Sequence, residues 1–247
     1  MIKIGVVNID VSHPLAFSGI LEEENRARYT AVYNEGFRGE DEVKAFCEKR
    51  HLEKICSSVE ELADCVDIGF IQGCNWDKHL EYAQIFLDRK NPVFIDKPIV
   101  GNLAECKKLE ALVEKGAVIL GSSSLRYASE ITEFMNRPVE ERGEILHIMG
   151  TCGVDEFNYG IHVVEAIGGM LKGAVSTRFS SRGTVDGNEC ESYSVVFENG
   201  ATVDYITVKG VWLPCHFLVT TTKDVYYVPV DVGKVYKQLL NRICDYV

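Results

Sequence analysis

VFIDKPIVGN, residues 93–102, decides the fold: three apolar residues run into Asp96, Lys97 and Pro98, and a helical pattern continues to Glu114. Val93, Phe94 and Ile95 show no polar alternation, as expected of a strand buried on both faces of a parallel sheet. A carboxylate, an amine and a proline then stand at the carboxyl end of that strand, where open α/β sheets bind their ligands. The plainer alternative is a surface Asp-Lys pair closed by a turn proline.

Outward from this stretch, the first half alternates strand and helix signals. Residues 3–9, 29–34, 67–72 and 117–120 are short apolar runs, and residues 14–24, 40–50, 77–89 and 102–114 carry apolar side chains at helical spacing. Such alternation predicts a doubly wound parallel sheet, giving an α/β chain. The second half changes character. After one helix near residues 158–172, strands 191–197 and 201–208 flank Glu198-Asn199-Gly200, whose Asn-Gly is a hairpin signal, and 215–221 and 225–230 flank Lys223-Asp224 in the same manner. A boundary after Ser122 therefore separates residues 1–122 from an α+β part, residues 123–247, built on an open, mostly antiparallel sheet.

Composition narrows the function. With 247 residues, 46% of them hydrophobic, the chain can bury a large core. A net charge of -11 and a pI near 5.1 argue against nucleic acid and anionic membrane as partners, since clustered Lys and Arg bind both. MIKIGVVNI enters a strand pattern at once, without the features of a signal peptide, and no apolar run approaches the roughly 18 residues of a membrane helix, so a cytoplasmic protein is expected. Cys47, Cys56, Cys65 and Cys74 are evenly spaced but share no surrounding pattern. With no C-x-x-C pair among nine cysteines, reduced thiols and no metal site are expected. G-x-S-x-G, P-loop and H-E-x-x-H motifs are absent.

Several segments together resemble the glucose-fructose oxidoreductase and inositol dehydrogenase family, Gfo/Idh/MocA. They are KIGVVNI at the start, DIGFIQGCNWDKHLEYA at 67–83, VFIDKP in place of the family's Glu-Lys-Pro, SLRY at 124–127 and NYGIHVVEAIGG at 158–169. The resemblance implies a Rossmann-like, dinucleotide-binding residue range 1–122, and a residue range 123–247 that carries the substrate pocket and an oligomer contact. It implies hydride transfer between NAD or NADP and a sugar-like or cyclitol-like alcohol, a small polyhydroxylated substrate. The alternation in SYSVVF and TVDYITV leaves Tyr, Val and Ile on both sides of their strands, which predicts a homo-oligomer, a dimer, joined through the sheet of the second half. Carried over residue by residue, the resemblance gives Lys97 as the active-site lysine, with a cis Lys97-Pro98 bond, and His162 as the general acid/base. Asn158 falls where the family has Asp. Cofactor contacts would come from Asn8, Asp10, Ser12 and His13 in the first turn, from Asn34, from Gly73, Asn75 and His79, and from Asp96 and Lys97. Substrate contacts would come from Arg126, Tyr127, Asp155 and Glu165. In the oxidative direction His162 would take the hydroxyl proton while Lys97 hydrogen-bonds the oxygen as charge develops.

The helix pattern itself points to His162. At about 100° per residue Asn158, His162, Glu165 and Gly169 share one stripe, with Val163, Val164, Ile167, Met170 and Leu171 opposite. Gly160, Gly168 and Gly169 each cost about 1 kcal/mol in a helix unless close packing or a ligand needs them. An ordinary amphipathic helix with a solvated histidine is the plainer alternative.

The chain also departs from the family. Asn8, Asp10 and His13 stand where glycines would let a diphosphate approach the backbone, and Asp10 brings a negative charge there. Ser12 ahead of Pro14 can cap the following helix and leave backbone N–H groups for an anion. Asn34 replaces the ribose-gripping acid, with Glu35 beside it, and Arg38 could meet a 2'-phosphate, so NAD and NADP both stay open. Asn158 can orient an imidazole but cannot stabilise its cation by charge. Two readings follow: an NAD(P)-dependent oxidoreductase, or a family member without hydride transfer that serves as a ligand-binding or assembly subunit.

Overall fold

Strand β1 (Ile2–Val7) opens a parallel sheet that also holds β2 (Ala27–Tyr33), β3 (Lys54–Ile55), β4 (Ile68–Ile71), β5 (Val93–Ile95) and β6 (Ile119–Leu120) in the order 3-2-1-4-5-6. The computed structural model describes all 247 residues apart from the side chain of Phe157. Between the strands run α1 (His13–Glu24), α2 (Glu40–Arg50), α3 (Val59–Ala63), α4 (His79–Asp88) and α5 (Leu103–Glu114). Every neighbouring pair in the sheet is parallel. The sheet is therefore doubly wound, with its order reversing between β1 and β4, the switch point where such sheets leave a crevice.

Both faces of the central strands are buried, which is why VFI carries no polar alternation. On one face Phe94 lies 4.9 Å from Phe70 and 6.2 Å from Phe17, centroid to centroid, and Tyr29 meets Phe70 at 5.7 Å. On the other face Val7, Ile71, Val93 and Ile95 pack with Leu62 and Phe86. The short pair β3 and α3 was not expected from the pattern. β3 is two exposed residues, and α3 is capped by Ser58, whose side chain accepts from Glu61 N.

The second unit, Ser123–Leu239, contains α6 (Ser129–Asn136), α7 (Val139–Arg142), β7 (Ile145–Gly153), α8 (Ile161–Met170), β8 (Ala174–Val185), β9 (Asn188–Phe197), β10 (Thr202–Val208), β11 (Leu213–Thr221) and β12 (Val225–Pro229). Helix α9 (Val235–Cys244) begins there, and Leu240–Val247 pack with Met1–Ser122 as the first unit. The strands form one sheet in the order 12-11-7-10-9-8, antiparallel throughout except for β10 beside β7. Both expected hairpins are present, as β9–β10 and β11–β12.

Alternation sorts this sheet into a covered and an open face. Ile148, Val203, Tyr205, Phe217 and Val219 are buried with Val163, Ala166, Ile167 and Met170 of α8. The cross-strand row Tyr227, Leu218, Met149, Asp204, Ser194 lies on the other side. Cys152 of β7 and Cys215 of β11 are joined as a disulfide with Cα atoms 4.2 Å apart, which corrects the expectation that all nine cysteines are reduced. The pairing of β7 with β11 brings the two together across 63 residues of sequence, a separation no local spacing reveals. Among the described residues no helix is long and apolar enough to cross a membrane, and no group of His, Cys, Asp or Glu could hold a metal ion.

Candidate functional site

The exit of β5 is built from its buried strand outward. Asp96 extends the ladder by one residue, its N–H donating to Ile71 O at 2.9 Å, and its carboxylate is 4% exposed. One carboxylate oxygen lies 2.5 Å from His13 Nδ1, and the other accepts from Lys97 N at 2.8 Å. His13 opens α1 and stacks on Phe17 at 5.2 Å, so the aromatic packing that seats Phe94 also seats this pair. The Lys97-Pro98 bond is cis, as the resemblance implies. His79, expected among the cofactor contacts, is 1% exposed. Its Nδ1 lies 3.1 Å from the carbonyl oxygens of Pro98 and Ile99, and its Nε2 2.9 Å from Gly73 O. Its ring thus ties the segment after β4 to the turn after β5.

The turn after β1 is similarly tied. Asn8 sits at φ 64, the left-handed region a glycine would otherwise supply, and its Oδ1 accepts from Glu35 N at 2.9 Å and Gly36 N at 3.1 Å. Asp10 is 5% exposed, and its carboxylate accepts from Phe37 N at 3.0 Å and Cys74 N at 3.2 Å. Asn34 is occupied in the fold, accepting from Ile9 N at 3.1 Å and donating to Arg38 O at 3.1 Å. Arg38 pairs with Glu42 at 2.8 Å. Ser12 is the N-cap of α1 but makes no capping hydrogen bond. Asn75 caps the turn after β4, accepting from Asp77 N at 3.2 Å.

The neighbour Glu35, passed over in favour of Asn34, presents the exposed carboxylate at this end of the crevice. Tyr82 and Tyr33 both donate to it, and these two hydrogen bonds hold its carboxyl below the usual carboxylate range. The same contact, with its own burial as the larger cause, pushes the Tyr82 hydroxyl well up.

In the second unit the polar stripe of α8 faces the helical turn Ser124–Tyr127, which holds Arg126 and the half-buried Tyr127. His162 Nδ1 lies 2.7 Å from Ser123 Oγ, and Arg126 Nε donates to Glu165 at 2.7 Å while its Nη1 donates to Gly168 O at 2.8 Å. Gly168 and Gly169 are explained by this approach: a Cβ at either would fall 2.5 Å from Arg126 Nη2 or 2.9 Å from Arg126 O. Val164, expected on the covered side, is 45% exposed. Asn158 lies in a π-helical turn ahead of α8, where its N–H and side-chain amide both bond Asp155, at 2.6 and 3.1 Å. The group that orients His162 is thus a hydroxyl, Ser123, 39 residues away in sequence and missed by motif reading. A cavity of about 540 Å³ in this unit is lined by Asp155, Glu156, Asn158, Glu189, Glu191 and Lys209 among others. Hydrogen bonds from Tyr193 and Arg182 hold the Glu191 carboxyl below its usual range.

The fold and these two clusters define a dinucleotide-fold chain with a lysine-bearing strand exit and a histidine-bearing helix. Residues 4–123 match the oxidoreductase family GFO_IDH_MocA, described as an NAD-binding Rossmann fold. An uncharacterized oxidoreductase of Escherichia coli K12, YgjR, is 30% identical over 100 residues, covering 40% of this chain and 29% of that protein. The match therefore spans under a third of that relative's length. The oxidoreductase TM0312 of Thermotoga maritima superposes with a TM-score of 0.80 at 18% identity, over 100% of this chain and 88% of that one. UDP-N-acetylglucosamine 3-dehydrogenase GnnA of Acidithiobacillus ferrooxidans gives 0.76 at 11% identity, over 100% and 90%. Biliverdin reductase of Synechocystis gives 0.70 at 13%, over 99% and 90%. At these identities the three likenesses establish the fold.

Proposed function

We propose that the chain is an NAD-dependent oxidoreductase acting on a small polyhydroxylated substrate, with Lys97 and His162 in the chemical step. The observation that carries this reading is the β5 exit, where the buried Asp96–His13 pair and the hydrogen bond from Lys97 N to Asp96 hold the backbone that bears Lys97, on a sheet that matches a family described as NAD-binding. The crevice residues fit the cofactor at its adenosine and nicotinamide ends. Asn8 supplies the left-handed turn, Ser12 makes no capping bond at the start of α1, and Glu35 offers a carboxylate for ribose hydroxyls. Ser12, Glu35, Asn75 and Lys97 would hold it. When bound, the nicotinamide supplies the hydride acceptor or donor. Ser123 orients the His162 ring, His162 takes the substrate hydroxyl proton, and Lys97 donates a hydrogen bond to the oxygen as it gains charge.

Because the Glu35 carboxylate repels a 2'-phosphate, NADH should bind at least tenfold more tightly than NADPH. Titration by nicotinamide fluorescence checks this, and the absence of saturable binding for either would sink the reading. The alternative, a family member without hydride transfer, draws on Asp10 and Asn34, whose polar atoms are engaged within the fold. The same titration separates the two.

The open face of the second sheet exposes Met149 at 52%, Leu218 at 42% and Tyr227 at 61%. We propose that two copies join through it. Light scattering at micromolar concentration should report a dimer, and a monomer would refute the contact.

A further inference from the structure

In a dinucleotide fold the second position of the turn after β1 has no side chain, so that the diphosphate can approach the backbone at the start of the first helix. Here that position is Asp10, two residues ahead of the N-cap of α1. Its carboxylate does not swing out to solvent. It bridges the segments after β2 and β4 through Phe37 N and Cys74 N, and a Cβ at Gly36 would fall 2.0 Å from its Oδ1. The charge is thus fixed at the mouth of the crevice by two backbone donors and a fitted loop. Its presence is felt nearby: burial first, and Asp10 second, raise the Cys74 thiol above its ordinary value. Arg38 donates to the Asp10 backbone carbonyl, at 3.4 Å, and its guanidinium pairs with the Glu42 carboxylate at 2.8 Å.

We propose that Asp10 is an internal anion in the diphosphate seat and the residue that sets cofactor affinity, weakening the hold on NADH and NADPH alike. The inference rests on the oxidoreductase reading above. Two like charges held within several ångströms of each other cannot both be favoured, and the Phe37 and Cys74 N–H groups on either side are already taken by the carboxylate. The cofactor would then be held mainly by its ends and would exchange freely between turnovers.

The test is the dissociation constant for NADH, by fluorescence titration, of the parent chain, D10N and D10G, with thermal unfolding to confirm that each variant is folded. D10N keeps an oxygen acceptor for one of the two loops and removes the charge, whereas D10G also removes the bulk. The expected result is at least tenfold tighter binding by D10N, about 1.4 kcal/mol, and no weaker a gain for D10G. Equal affinity within threefold for the parent and a folded variant would overturn the inference while leaving the oxidoreductase reading intact. Binding by the variants but not by the parent would support the inference and remove the reading. Failure of all three to bind would overturn both.

Discussion

Replacing His162 by alanine is expected to lower turnover by about 100- to 10,000-fold, the usual consequence of removing a general base. The substrate KM should change far less, because the imidazole acts on a proton in motion rather than on the resting alcohol. Lys97→Ala should lower turnover likewise, and both variants should keep their fold, since neither side chain belongs to the buried clusters, while His162→Ala should also keep its NADH binding. Ser123→Ala removes only the hydroxyl 2.7 Å from His162 Nδ1 and should cost less than either. Steady-state kinetics decide the matter. Turnover of His162→Ala within threefold of the parent, under about 1 kcal/mol in the barrier, would make the histidine structural.

Phe94→Ala is expected to reduce stability by about 3–5 kcal/mol, the range for deleting a buried aromatic ring. Phe94 is 0% exposed and touches both Phe70 and Phe17, so its loss opens the layer under α1 and beneath the Asp96–His13 pair. Urea denaturation measures the change. Phe37→Ala is the control, because Phe37 is 66% exposed and its removal should stay within about 0.5 kcal/mol. A loss under about 1 kcal/mol for Phe94 would mean that the neighbouring rings close the gap unaided.

The parallel sheet was readable from the chain because its central strands are buried on both faces, so VFI and IGFI appear as uninterrupted apolar runs. The hairpins were readable because Asn199-Gly200 and Lys223-Asp224 punctuate alternating strands. β8 was not, since all twelve of its residues are exposed and it is held by pairing with β9 rather than by any apolar periodicity. β3 and α3 were too short to leave a period. At the site, Lys97 and its cis bond came from a contiguous motif, whereas Ser123 and Cys152–Cys215 depend on contacts made 39 and 63 residues apart. Asn34 and His79 stand out by residue type alone, whereas the backbone partners of their polar atoms are visible only in the fold.

The crevice rim of the first unit is stitched by side chains reaching from one connecting segment to another: Asn8 and Asp10 to the stretch after β2, Asp10 again to the stretch after β4, and His79 from there to the turn after β5. Such a rim behaves as a hoop rather than as four independent flaps. Discrimination among ligands at this rim would then be exercised by its resting outline, as a gauge admits a part by shape, and not by a closing movement that rewards the right occupant.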